Sequence, residues 1–267
     1  MAILNARNGR RLSVDGITIN IPTMEDAISS IVSAAQQRQS FSVCTLNLDH
    51  VVHLNAHDDF RDAYRRARFV TADGFPIVVL SRLAKAPIRR TTGADMIEPV
   101  CKEASRRGLP VFFLGSNPAT LAETERRLRE RYPGLEIAGR FSPGQRFDPY
   151  SSEADEAIEK LRVSGAPLCF LALGSPKQEI FAARCLDRVR GTGLLCIGAA
   201  IDFVAGTQTR APRLAQQLCL EWLWRAVHSP RRLVPRYARC VAVLPWLLAN
   251  TIPQIIDARM GNLKWRQ

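Results

Sequence analysis

The sequence predicts an α/β fold: a mostly parallel, Rossmann-like sheet flanked by helices, with a basic helical appendage at its C-terminal end. Three observations carry that expectation. Short apolar, β-prone runs recur along the first three quarters of the chain, at 41–46, 69–72, 111–114, 135–138, 168–173 and 194–197. Polar stretches with helical periodicity separate them, and strands alternating with helices imply right-handed βαβ units. The charge is also lopsided. From Ala205 onward there are ten Lys or Arg against only Glu221 and Asp257, which is +8 of the formal +12, while residues 1–204 hold 27 basic and 23 acidic side chains.

Taken in order, residues 1–22 read as a short polar start. Thr23 with Asp26 three residues later resembles a capping box, and Ile28, Ile31, Val32 and Ala35 then share one face, so a first helix is expected over about 24–37. The clearest later helix is 118–131, with Leu121 and Leu128 inward, a run of Glu and Arg outward, and Tyr132, Pro133 and Gly134 to end it. One α/β domain over 1–206 and an appendage over 207–267 is the economical division.

Composition excludes several classes. The seven cysteines are scattered without a CxxC pair, and four sit in apolar runs, so buried thiols in a reducing cytosol are expected rather than disulfides or zinc. No stretch reaches the roughly 20 apolar residues a crossing helix needs; the longest, 240–249, contains Pro245, so any membrane contact is expected at the surface. His50, His53 and His57 fall at i, i+3 and i+7 of a helix, which reads better as a partly exposed helical face than as a metal site.

In parallel sheets ligands bind beyond the carboxyl ends of the strands. After the first long run come Thr45, Asn47 and Asp49, offering a hydroxyl and an amide on one face or a helix N-cap. After the second comes Asp73-Gly74, which suits a general base with a closely approaching backbone, or a plain turn. Gly115-Ser116-Asn117-Pro118 runs from a strand into a helix whose amides can hold an anion or be capped from within. Gly174-Ser175-Pro176-Lys177-Gln178-Glu179 makes a sharper candidate for a diphosphate cradle, with a tight turn, a cap, a proline for the first helical position and a cation. Gly198, Asp202 and Gly206 leave the last strand in a small-residue loop, where Asp202 can meet a sugar hydroxyl or cap a helix. No GxGxxG or Walker loop is present.

Taken together, TLNLDHVV, TADGFPIV, RRTTGADM, VFFLGSNP, LGSPKQE, IDFVAG, RAP and EWLWRAVHSPRRLVPRY resemble, in order and spacing, the WecG/TagA/CpsF family of bacterial glycosyltransferases, from about Val14 to Tyr237. The resemblance implies inverting transfer of N-acetylmannosamine, a hexuronic acid or a related hexose from a UDP-sugar to a polyprenyl diphosphate-linked acceptor, in surface polysaccharide synthesis. It implies a cytoplasmic protein held peripherally at the inner face of the plasma membrane; since no Asp-x-Asp stands at any strand end and the histidines do not match a zinc spacing, no metal and no cofactor are expected. It makes Asp73 the general base, Thr45 and Asn47 the polar pair of that pocket, and Gln178 an amide on the donor sugar. Lys177, Asp202 and Arg90 become further pocket residues. Arg225, Arg232 and Arg236 become the appendage arginines that fold over the site and balance charge on the leaving diphosphate, with Arg231 competing for the role of Arg232. The loop Gly198-Ala199-Ala200 departs from the many relatives with a second glycine, and the segment around Arg146 and Phe147 does not align.

Arginines interleaved with Trp222, Trp224, Tyr237 and Trp246 also suit nucleic acid, but 241–256 is too apolar for a nucleic-acid arm. Anionic lipid is the expected partner, with Trp246, Leu247 and Leu248 at the headgroup level, and self-association is left open. The competing classes are another nucleotide-binding α/β enzyme, an oxidoreductase or methyltransferase, and a non-catalytic membrane-docking module.

Overall fold

Alternation of strand and turn begins earlier than expected. In Leu12-Ser-Val-Asp-Gly-Ile-Thr-Ile19, Asp15 and Gly16 take positive φ (50° and 77°), the two-residue turn that matches strand twist, and they join β1 (Leu12–Val14) to β2 (Ile17–Ile19). Leu12, Val14, Ile17 and Ile19 are all buried, so the "polar start" is a hairpin folded onto the domain. The Asp-Gly pair between alternating apolar residues is the signal that marks it. The computed structural model describes residues 11–212, 221–228 and 230–260, and the side chains among them except at 221, 225, 228, 232 and 257–260.

The main sheet has six parallel strands in the order β4-β3-β8-β7-β5-β6, namely β3 (Phe41–Leu46), β4 (Phe69–Ala72), β5 (Val111–Gly115), β6 (Ile137–Phe141), β7 (Leu168–Ala172) and β8 (Gly193–Cys196). Helices cover both faces, which is why the central strands read as unbroken apolar runs rather than alternating ones. β6 starts two residues later than its apolar run. Leu135 instead closes the preceding turn, its N–H donating to the Tyr132 carbonyl, and its side chain is buried there.

One face carries α1 (Met24–Gln36), α5 (Gly93–Arg106), α6 (Pro118–Arg131) and α9 (Ala200–Ala205). The other carries α2 (Leu48–Ala56), α3 (Asp58–Arg66), α4 (Phe75–Leu83), α7 (Ser152–Ser164) and α8 (Lys177–Arg188). Thr23 caps α1 by accepting from the Asp26 N–H, as its spacing predicts. The chain leaves β3 and β7 toward the second face but leaves β8, which lies between them, toward the first. Such a reversal opens a crevice at the carboxyl ends of the strands.

The appendage forms α10 (Glu221–His228) and α11 (Pro230–Met260), with Trp222 edge-on to Tyr237 at 5.7 Å. α11 lies across β1, α2 and α4, burying Leu233, Cys240, Leu247 and Thr251 along one stripe. It continues through Pro235, Pro245 and Pro253, so the sequence expectation of a ten-residue apolar stretch is corrected. Leu233–Ile256, 24 residues at a mean hydropathy of 1.3 and 17% buried, is long and apolar enough by length and composition to cross a membrane. Leu247, expected at a lipid surface, packs on the core instead, whereas Trp246 and Leu248 are exposed. Cys44, Cys101, Cys169, Cys185, Cys196 and Cys240 are buried free thiols; Cys219 lies outside the described residues.

Candidate active site

β3 and β4 are neighbours, and their carboxyl ends bring the first candidates together. Thr45, buried, stands in register with Thr71. Asn47 keeps extended backbone (φ −131°, ψ 179°), so it follows Thr45 on the same side, and its side chain caps α2 by accepting the His50 N–H at 3.0 Å. The Asp73 N–H donates to the Leu46 carbonyl at 2.7 Å, which fixes the carboxylate's backbone against the Asn47 turn. Gly74 then turns into α4 with φ +104°, and a Cβ there would lie 3.7 Å from that of Asn47. A half-buried carboxylate, a hydroxyl and an amide thus share one end of the sheet.

Arg90 reaches the same rim. The Thr91 N–H donates to the Ala72 carbonyl at 2.8 Å and the Thr71 hydroxyl to the Thr91 carbonyl at 2.9 Å, which stitches the loop after α4 to the end of β4. Arg90 Nη2 lies 3.8 Å from Asp95 Oδ2, and Arg210 Nη1 lies 2.6 Å from Asp95 Oδ1. Burial works to raise the Asp95 carboxyl, but hydrogen bonds from Arg210 and Thr92 and the charges of both arginines outweigh it and hold the group below the usual range. Neither Asp95 nor Arg210 stands out in the sequence, although both fall inside motifs that do (TTGADM and RAP), because only the folded contact joins residues 115 positions apart.

Across the crevice lie the ends of β7 and β8. Gly174 (φ +76°) and Gly198 (φ +58°) both adopt backbone that disfavours side chains, yet a Cβ at either would meet nothing within 4 Å. These two loops therefore border open space. Pro176 follows a cis bond and stands at the N-cap of α8 rather than in its first turn, which Lys177 begins, half-buried. Gln178 is buried and spans the two loops: its Nε2 donates to Glu179 Oε1 at 2.8 Å and its Oε1 accepts the Gly198 N–H at 3.1 Å. Glu179 is fully buried, and that burial pushes its carboxyl up to about 7 despite the hydrogen bond from Gln178. Its oxygen acts through the Gln178 amide.

At the end of β5, Gly115 (φ +118°) is required by packing: a Cβ would come within 2.3 Å of the Ala172 carbonyl oxygen on β7. Asn117 caps α6 from within, accepting the Thr120 N–H at 2.9 Å. Both Asp202 oxygens are engaged, one by the Ser116 hydroxyl and one by Gln208 Nε2, each at 3.0 Å, so this carboxylate ties the β5 loop to the segment after α9. Phe147 packs edge-on against Phe181 in the core, 5.5 Å between centroids, while Arg146 is exposed.

From the appendage, Arg236 pairs with Asp49 at 2.9 Å, two residues past Asn47. Burial would raise the Asp49 carboxyl, but the hydrogen bond from His53 and the charge of Arg236 prevail and keep it low. The side chains of Arg225 and Arg232 lie outside the described residues, and Arg231 is exposed. The histidines of α2 diverge. His53 turns to Asp49 at 3.4 Å, whereas His50 is buried with Nδ1 2.6 Å from the Tyr64 hydroxyl, and desolvation pushes its imidazole down to about 3. The partly exposed face expected there is thus a core contact at its first position.

The arrangement suits transfer of a group between two oxygens: a carboxylate able to take a proton stands on one side of an open crevice, and guanidinium groups line the same rim. No strand end among the described residues carries the GxGxxG loop of dinucleotide binding. The Glycosyl transferase WecG/TagA/CpsF family matches this chain over residues 12–257, nearly its whole length, and every strand end described above falls within the match. The chain is therefore a member of that family, and its chemistry is glycosyl transfer.

Proposed function

We propose that the chain is an inverting transferase that moves N-acetylmannosamine, a hexuronic acid or a related hexose from a UDP-sugar to a polyprenyl diphosphate-linked acceptor in surface polysaccharide synthesis. The observation that supports this reading most directly is Asp73, held beside Thr45 and Asn47 at the open end of the sheet with Arg90 on the same rim. Its carboxylate takes the proton of the acceptor hydroxyl as that oxygen attacks the anomeric carbon. The new C–O bond forms on the face opposite the diphosphate, the bond from carbon to the diphosphate oxygen breaks, and UDP departs with the electron pair. Arg90 and Arg236, and on the family resemblance Arg225 and Arg232, offset the charge that develops on the leaving group, which is the task a metal performs in other transferases. No metal or cofactor enters this scheme. Gln178 orders the donor side of the crevice through Gly198, and Lys177 adds positive charge at the start of α8.

The appendage over 207–267 is proposed to hold the enzyme on the inner face of the plasma membrane, lying in the interface rather than crossing it. Its outer side exposes Val234, Val241, Leu248, Ile252 and Ile256, and its inner side is tied down along its length. Arg236 grips Asp49 near the start; Gln254 near the end accepts the Ser13 N–H at 3.1 Å and donates to the Ser13 carbonyl at 2.7 Å. A crossing helix would have to surrender all of these contacts.

The deciding experiment is a mass-detected transfer assay with a panel of UDP-sugars and a short-chain lipid diphosphate acceptor. Wild-type protein is expected to transfer at least one sugar. Asp73→Asn is expected to lose roughly 100-fold or more in turnover, the scale of general-base catalysis, while binding the donor nearly normally. Near-normal turnover by Asp73→Asn moves the base elsewhere, and no transfer from any UDP-sugar refutes the reading.

A further inference from the structure

We infer that Glu179 is a positioning residue for glycosyl transfer: a proton-bearing carboxyl group, closed inside the fold, that sets the Gln178 amide and with it the spacing of the two glycine loops beside the crevice. The step from those loops to the donor rests on the proposal that a UDP-sugar is held on this side.

Gln178 touches both loops. Its backbone N–H donates to the Gly174 carbonyl at 3.0 Å, and its side-chain Oε1 accepts the Gly198 N–H at 3.1 Å. A backbone N–H can only donate, so the amide oxygen faces Gly198 and the amide nitrogen faces Glu179. Glu179 Oε1 accepts that second hydrogen bond at 2.8 Å and is therefore the oxygen without the proton. The Ser175 hydroxyl is near enough to act on the same carboxyl, yet neither it nor the buried Oε2 makes a hydrogen bond of normal geometry. A proton on Oε2 serves both, because Oε2–H can donate to Ser175 Oγ and the carboxyl then carries no charge. The hydrogen bonds run in one direction from the Gly198 N–H through Gln178 and Glu179 to Ser175, tying the loop after β8 to the loop after β7.

The surroundings favour that neutral form. Among the described residues no lysine or arginine pairs with Glu179. The titratable groups acting with it are His53 from α2, whose charge favours ionisation, Tyr64 from α3, and Cys196 from β8. Burial raises Tyr64, and contact with Cys44 together with burial raises Cys196, so both are uncharged. Desolvation thus prevails at Glu179 over the hydrogen bonds from Gln178, its own backbone and Ser175, and pushes the carboxyl up to about 7.

Thermal unfolding and transfer kinetics of the full-length protein test this with Glu179→Gln and Glu179→Leu. The folded carboxyl is raised, so its contribution is lost as pH rises from the unfolded value of 4.5 through about 7. Glu179→Gln can make both hydrogen bonds with no proton to lose. It should converge on wild type as pH falls to about 5 and unfold roughly 5 °C higher at pH 8. For a UDP-sugar that wild type transfers, Glu179→Leu is expected to raise the donor KM about ten-fold with a smaller change in kcat, and Glu179→Gln to bring KM back within about three-fold. Equal unfolding temperatures for wild type and Glu179→Gln at pH 8 remove the proton. An unchanged KM in Glu179→Leu, or the same rise in both variants, removes the positioning role, and any of these results overturns the inference. If Glu179→Leu does not fold, Glu179→Asp, which keeps the acid and shortens its reach, is read in its place. Transfer from no UDP-sugar sinks the donor reading, and the unfolding comparison then decides the inference alone.

Discussion

Strand β5 and helix α11 are both apolar, yet every residue of β5 is buried while α11 buries a single stripe and shows its other side to solvent. β5 lies between β7 and β6, under helices on both faces, so no part of it can move without opening the sheet. α11 rests on β1, α2 and α4 through Leu233, Cys240 and Leu247, spaced seven residues apart, and through a few polar ties. The difference teaches which contacts belong to folding and which to docking. The sheet is one cooperative body, and α11 is attached along a seam that can weaken locally.

The sharpest way to break that distinction is Gly115→Ala. Its φ of +118° and the Ala172 oxygen 2.3 Å from the added Cβ combine backbone strain with overpacking between β5 and β7 at the carboxyl end of the sheet. We expect a loss of about 4 kcal/mol in denaturant unfolding, shared by amides throughout the molecule. A loss below about 1 kcal/mol would show that the β5–β7 contact yields more easily than its geometry implies. Next in size is Leu247→Ala, expected to cost about 2 to 3 kcal/mol, felt as faster hydrogen exchange within α11 while the amides of β5 and β7 keep their protection. Equal loosening of sheet and helix would mean that α11 belongs to the cooperative core after all.

The smallest effect is expected from Arg236→Met, about 1 kcal/mol at neutral pH for a half-exposed pair, again read from exchange in α11. Its sign with pH follows from Asp49. The folded carboxyl is held below its unfolded value, so the contribution is complete above about pH 4 and disappears as pH falls through the lower folded value. Wild type and variant should therefore differ at pH 7 and converge in acid. A difference that survives at a pH where the folded Asp49 carboxyl is itself protonated would assign the contact to packing by the arginine stem instead of charge.

Much of the sheet was legible because strands covered on both faces must be apolar throughout, and runs such as 41–46 and 168–173 have few other ways to be buried. The helix 118–131 was legible for a related reason: its proline, its charged face and its closing Tyr-Pro-Gly all agree. β6 was displaced because Leu135 is as apolar as a strand residue but is spent on the turn after α6. The extent of α11 was hidden by three prolines, which a helix with enough outside contact can tolerate. At the site, Asp73, Asn47 and Arg90 could be named from strand ends and motifs. Asp95 and Arg210 could not be joined, and Gln178, Glu179 and Asp202 could not be recognised as cross-loop ties, since side-chain partners across the crevice follow from strand order. That order, with β8 between β3 and β7, is not written in any local pattern.

Gly174 and Gly198 have a consequence for redesign. Both are glycine for reasons of handedness and not of size: their φ angles suit left-handed backbone, and the space beside each is empty to 4 Å. Asparagine, the ordinary residue most at ease in that conformation, is therefore the replacement each position should accept at least cost. A library that begins with Asn at these two positions would place new amides at the mouth of the crevice while leaving the sheet beneath untouched.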